Sequence, residues 1–230
     1  MTQIAILDDY QNVAKSIVDW DRLPKNASLT VFNDHVFDQK ILVDRLKNFE
    51  IICAMRERTP FPRSVLEQLP KLKLLITTGM RNASIDVTAA RELGIDVCGT
   101  GSVPYPTAEL TWALVLDLAR NVSVENEAVK SGFWQTKMGV GLKGKTLGLI
   151  GLGNLGSQVA RYGNAFGMNV IAWSQNLTQE KASENFAELV SLDTLMSSSD
   201  FVSIHTILSK STKGLINLEK LKLMKKSAYL

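Results

Sequence analysis

One stretch constrains this chain more than any other. Residues 146–150, Thr-Leu-Gly-Leu-Ile, form a short apolar run of strand character. It breaks at Gly151, and Gly151, Gly153 and Gly156 then stand in the spacing G-x-G-x-x-G. A helical pattern follows over residues 155–166 and closes at Gly167. Glycines also mark ordinary βα turns, but strand, glycines and helix in this register predict a dinucleotide-binding loop. Gly151 permits the tight turn, Gly153 lets the backbone approach a pyrophosphate, and Gly156 lets the helix pack closely on the strand. The amides at the helix N-terminus and the helix dipole favour the anion.

The rest of the chain supplies a setting for that loop. Strand-like and helical stretches alternate over the first hundred residues. Strands are expected at 3–7, 29–32, 51–54, 74–77 and 95–97, and helices at 13–20, 39–47, 63–69 and 87–93. Asp86 is the expected N-cap of the last helix and Gly94 its stop. Alternation at this spacing predicts an α/β fold with a parallel sheet covered on both faces. Residues 99–106, rich in Gly and Pro, read as a hinge. Helices follow at 107–121 and 123–131. A second alternating block then runs strand 146–150, helix 155–166, strand 169–173, helix 192–197, strand 201–205 and helix 217–225.

The second strand of that block ends at Trp173-Ser174-Gln175-Asn176. A dinucleotide fold places an acid here to hold the ribose hydroxyls of NAD. This chain has Ser174, and the next acid is Glu180. Loss of the carboxylate removes repulsion against a 2′-phosphate, yet no arginine follows to grip one. NAD and NADP both remain open.

Composition excludes several classes. With 45% hydrophobic and 21% charged residues and a net charge of +3, the chain has an ordinary globular balance. No arginine-rich patch with interleaved aromatics points to nucleic acid. The basic run Lys220–Lys226 reads as the solvated face of one helix. The longest apolar stretch, near residues 110–118, is too short to span a membrane. No secretory signal opens the chain. Cys53 and Cys98 have no metal-ligand spacing and are expected as buried free thiols of a cytoplasmic protein.

The chain resembles the D-isomer-specific 2-hydroxyacid dehydrogenases, the family of phosphoglycerate dehydrogenase. The resemblance rests on Thr77-Thr78-Gly79-Met80-Arg81-Asn82 with Asp86, on Thr107-Ala108-Glu109-Leu110, on the glycine loop, on Phe166-Gly167-Met168, and on Ser203-Ile204-His205 through Thr212-Lys213-Gly214-Leu215-Ile216. It implies a flavodoxin-like substrate domain over residues 1–100 and a Rossmann NAD(P)-binding domain over 101–230. It also implies a chain truncated at the C-terminus: the substrate domain would lack its C-terminal return helix, and the doubly wound cofactor sheet would be incomplete after its third strand. In that reading strands 169–173 and 201–205 lie on one side of strand 146–150. The other side would be left without a partner, which invites association. The family's dimer-forming elements resemble helix 107–121 and the arm through Phe133-Trp134, so a homodimer is expected.

The resemblance also assigns residues. Gly79, Met80 and Arg81 would offer backbone amides to the carboxylate of a small 2-hydroxy or 2-keto acid. Gly151, Gly153 and Gly156 would shape the cofactor loop, and the amides of Asn154 and Leu155 would meet the pyrophosphate. Ser174 would face the ribose, Thr206 would line the adenosine side, and Thr107 would lie near the nicotinamide. The chain departs from the family at Ala83-Ser84, where Asp-Asn is usual, at Arg81 in place of glycine, and at Ile207 in place of proline. The family's catalytic arginine, glutamate and histidine would lie beyond residue 230, leaving no catalytic residue in this chain. His35 is expected to be exposed and uninvolved, and His205 to line the cofactor pocket. Arg56 and Arg58 can reach an anionic substrate or form a surface Arg-Glu-Arg cluster. The alternative to an oxidoreductase is a non-catalytic dinucleotide-binding or dimerisation module, as in corepressors of the same family.

Overall fold

The computed structural model describes residues 1–230. They divide into two compact units, Met1–Ser102 and Val103–Leu230.

In the first unit, strands β1 (Thr2–Ile6), β2 (Ala27–Val31), β3 (Ile51–Ala54), β4 (Leu74–Thr77) and β5 (Asp96–Gly99) form one all-parallel sheet in the order β2-β1-β3-β4-β5. That is the flavodoxin-like order, with its switch point between β1 and β3. The intervening helices are α1 (Ala14–Ile17), α2 (Gln39–Leu46), α3 (Arg63–Leu66) and α4 (Val87–Glu92). Leu46, Ile52, Phe61, Leu66 and Leu75 are fully buried between sheet and helices. Asp38 caps α2 at the Ile41 amide and Asp86 caps α4 at the Ala89 amide. Gly94, at φ +71°, ends α4 in the left-handed conformation that glycine adopts without strain.

The helix expected over residues 13–20 is a single turn. The Asp9 carboxylate accepts from the Val13 and Ala14 amides and starts it. Val18 then leaves helical space at φ −136°, ψ 142°. Asp19 opens a separate 3₁₀ turn at Trp20–Arg22. Val13, Ile17 and Val18 are β-branched, and three such residues within six positions disfavour a longer helix.

The second unit begins with α5 (Pro106–Arg120) and α6 (Val122–Lys130), separated by Asn121 in the left-handed region at φ 55°. Its sheet holds β6 (Thr146–Ile150), β7 (Asn169–Trp173), β8 (Glu188–Leu189) and β9 (Phe201–Ile204), all parallel. Helices α7 (Asn154–Ala165), α8 (Gln179–Glu184), α9 (Leu192–Ser198) and α10 (Leu218–Leu223) connect and follow them.

The sheet order is β8-β7-β6-β9, which corrects the sequence reading. Strand β9 lies on the opposite side of β6 from β7, so the central strand is hydrogen-bonded on both sides. The third strand is β8, and β9 is the fourth rather than the third. Beyond it Tyr229 bridges Phe201, with the Val202 amide donating to the Tyr229 carbonyl at 2.8 Å. Leu147, Leu149 and Ile150 of β6 are fully buried. The basic run 220–226 is tied down at two points, where Lys220 pairs with Asp193 and Lys225 with Asp200.

Candidate functional site

Strand β6 delivers its chain into the glycine loop at the carboxyl end of the sheet, where α/β sheets bind ligands. The Gly151 amide donates to the Trp173 carbonyl at 2.7 Å, which joins the loop to the end of β7. Gly151 turns at φ +102°, and a Cβ there would lie 3.0 Å from the His205 carbonyl carbon and from Thr206 Cγ2. Thr206 therefore walls the same loop. A Cβ at Gly156 would lie 2.1 Å from the Gly151 carbonyl oxygen, so α7 seats on the loop only through glycine.

Gly153 differs from both. It is exposed, at the N-cap of α7, and a Cβ there would meet nothing within 4 Å. No side chain caps α7. The amides of Asn154, Leu155 and Gly156 point out of the first turn without carbonyl partners, as in any uncapped α-helix. Open space beside Gly153, uncapped amides and the positive end of a twelve-residue helix fit a dinucleotide pyrophosphate.

Ser174 follows β7 directly and is half-buried. Its carbonyl accepts from the Leu177 amide in a turn of uncharged residues. Thr107 lies in the first turn of α5 with an exposed side chain, and its carbonyl accepts from the Thr111 hydroxyl. His205 is half-buried, and its Nε2 lies 3.0 Å from Ser203 Oγ. Burial pushes its imidazole pKa down.

In the first unit the loop after β4 carries Gly79, Met80 and Arg81. Gly79 is buried at φ +87°, whereas Met80 and Arg81 are exposed. The Gly79 amide is already engaged, donating to Thr100 Oγ1 at 3.0 Å. The Met80 and Arg81 amides have no partner in the protein. Of the three amides named from the resemblance, one is held and two are open. Asn82 braces the loop, its Nδ2 donating to the Arg56 carbonyl at 2.5 Å and to Thr77 Oγ1 at 2.9 Å. Its Oδ1 accepts from the Ser84 amide and hydroxyl.

The two arginines part company. Arg58 donates to the Asp8 carbonyl at 2.7 Å and stacks on Tyr10, so it is structural. Arg56 lies on the loop: its Nη1 is 2.1 Å from where a Gly79 Cβ would be, and its side chain is 55% exposed. A non-glycine residue at position 79 would collide with that guanidinium.

His35 is not the exposed residue expected. Its side chain is 14% exposed and its Nδ1 lies 2.8 Å from Asp8 Oδ1. Asp8 Oδ2 accepts from Thr59 Oγ1 at 2.7 Å. The group closes the ends of β1, β2 and β3 and leaves the histidine committed. Cys53 is half-buried and Cys98 exposed, so only the unpaired state of the two thiols matches expectation. No group of His, Cys, Asp and Glu is arranged to hold a metal ion. No helix is long and apolar enough to cross a membrane.

The sequence analysis quoted Asn82 only as part of a motif, and gave neither it nor Thr100 a role in the loop after β4. Thr100 stands between two glycines in a run that signals flexibility, and only the pairing of β4 with β5 brings it to Gly79.

Residues 112–230 match the family model of the D-isomer specific 2-hydroxyacid dehydrogenase NAD binding domain. A glyoxylate reductase of Aeropyrum pernix is 42% identical over 176 residues, which cover 72% of this chain and 52% of that protein. The chain thus spans about half the length of that relative. A solved structure of phosphoglycerate oxidoreductase from Vibrio cholerae O395 superposes with a TM-score of 0.94 at 35% identity, covering 100% of this chain and 74% of the other. A D-lactate dehydrogenase from Aquifex aeolicus, solved with NAD and lactic acid, superposes at 0.72 with 29% identity, covering 99% of this chain and 67% of that one.

Proposed function

We propose that this chain, which belongs to the D-isomer-specific 2-hydroxyacid dehydrogenase family, an NAD-dependent family of oxidoreductases, serves hydride transfer between a nicotinamide dinucleotide and a small 2-hydroxy or 2-keto acid. The observation that carries the reading is the open, uncapped glycine loop at Gly153 on the carboxyl end of a parallel sheet. The lactate and NAD of the Aquifex structure support the same ligand classes here.

The residues divide the work. The amides of Asn154 and Leu155, with the dipole of α7, hold the pyrophosphate. Thr206 lines the adenosine side, and Thr107 stands toward the nicotinamide. Ser174 meets the ribose without a carboxylate, so a 2′-phosphate is accepted as well as a free hydroxyl. The Met80 and Arg81 amides bind the substrate carboxylate, with the exposed Arg56 guanidinium beside Gly79. When bound, the nicotinamide supplies the hydride.

Reduction of a keto acid also needs a proton donor at the developing alkoxide. Of the two histidines, His35 is bound to Asp8 and His205 lies beside Ser203 in the dinucleotide unit. Neither is assigned that task, so residues 1–230 bind both ligands while turning over slowly. The same observation favours the second reading, a dinucleotide-binding or dimerisation module without catalysis. Steady-state oxidation of NADH and NADPH with glyoxylate, pyruvate and hydroxypyruvate tests the point. The expected rate is far below the ~10 s⁻¹ typical of enzymes. Turnover at that level would mean that the proton donor is among the residues described.

A further inference from the structure

We propose that the Thr100 hydroxyl is a displaceable latch on the anion-binding loop: it holds the Gly79 amide in the free protein and gives it up when a carboxylate docks. The inference rests on the reading of residues 79–81 as the carboxylate loop.

Three observations carry it. First, the Gly79 amide is the one amide of the loop with a partner, and that partner is a neutral hydroxyl on an exposed residue. Thr100 Oγ1 itself donates to the Gly101 carbonyl at 3.1 Å, so its acceptor lone pair is oriented toward Gly79. A bond from an amide to a carboxylate is charge-assisted and roughly twice as strong as a neutral one. A carboxylate at the open Met80 and Arg81 amides therefore competes well for the third.

Second, the loop does not depend on Thr100 for its shape. Asn82 fixes it to Arg56 and Thr77, and a Cβ at Gly99 would lie 2.8 Å from the Gly79 carbonyl oxygen. The end of β5 thus packs directly under the loop. Release of the hydroxyl leaves the Gly79 amide where it was, now available.

Third, Gly79 is buried, so an amide without any acceptor there is costly. The hydroxyl fills that need while the ligand is absent. Thr100 is accordingly a positioning residue: it sets the affinity of the loop by the ease with which it leaves.

The test is an NMR titration of the ¹⁵N-labelled chain with glyoxylate. In the wild type the Gly79, Met80 and Arg81 amide signals should all move together. In Thr100→Val the free protein loses the acceptor, so Gly79 amide exchange quickens and glyoxylate binds about fivefold more tightly. Thr100→Ser restores the hydroxyl and returns wild-type affinity. Movement of Met80 and Arg81 with Gly79 unmoved, or equal affinity in Thr100→Val, overturns the latch while leaving the loop assignment standing. If none of the three amides moves, the carboxylate assignment falls and the latch falls with it.

Discussion

Gly153 and Gly156 are three residues apart and answer to opposite constraints. At Gly156 the constraint is the protein itself, because any Cβ would run into the Gly151 carbonyl oxygen. Gly156→Ala should therefore destabilise the second unit by about 2 kcal/mol or more, despite the better helix propensity of alanine. A melt within experimental error of the wild type would show that α7 can move off the loop. At Ser174 the question is the ligand. Ser174→Asp adds an acceptor for ribose hydroxyls and a charge against a 2′-phosphate, so the ratio of NAD to NADP affinity should rise by about tenfold. An unchanged ratio would remove position 174 from cofactor choice. His205 gives a third prediction. Burial lowers its pKa below the ordinary value of about 6.5, so the fold prefers the neutral ring. That contribution is intact above pH ~6.5 and is lost as the pH falls through the depressed value. The drop in melting temperature between pH 7.5 and 5.5 should be smaller in His205→Asn than in the wild type. An equal drop would place the pH sensitivity elsewhere. Spacing made the three glycines legible in the sequence, because each obeys a local steric rule. The engagement of Gly79 by Thr100 and of His35 by Asp8 was not legible, because strand pairing brings those partners together from 21 and 27 residues away.

At the scale of elements, the strands with continuous apolar runs were read correctly, and β8 was missed. It consists of Glu188 and Leu189 alone, half polar and too short for periodicity. What makes it a strand is the parallel pairing of Glu188 with Ile171 and of Leu189 with Ala172. Missing it shifted the count by one and put β9 on the wrong side of β6. Hydrogen exchange separates the two arrangements. With partners on both sides, the β6 amides should be among the slowest of the second unit, and those of β8 among the fastest. Rapid exchange along one side of β6 would restore the unpaired central strand. Helix α1 failed for a related reason: the Asp9 cap is a local signal, but Val18 turns extended after one helical turn.

On the scale of the whole molecule, the apolar surface on α5 and the segment after α6 stands out. Leu110, Leu114 and Leu118 recur along one face of α5 at 62%, 55% and 41% exposure, and Trp134 is 76% exposed. Clustered exposed apolar residues mark interfaces, and tryptophan is enriched among their hot spots. With β6 paired on both sides, this surface rather than a bare ladder supports the proposed homodimer. Light scattering should give twice the 25.4 kDa chain mass, and Trp134→Glu should weaken the dimer at least about tenfold. A wild-type monomer at micromolar concentration would contradict that. The central claim is narrower: a dinucleotide lies on the glycine loop, against the backbone of Gly153. Fluorescence titration of NADH into the wild type and Gly153→Val tests it most directly. A Cβ at position 153 meets nothing within 4 Å, so the variant should fold, with at most about 1 kcal/mol lost at the helix cap. The account predicts saturable one-to-one binding in the wild type and none in Gly153→Val at the same concentrations; equal affinity for the two would contradict it.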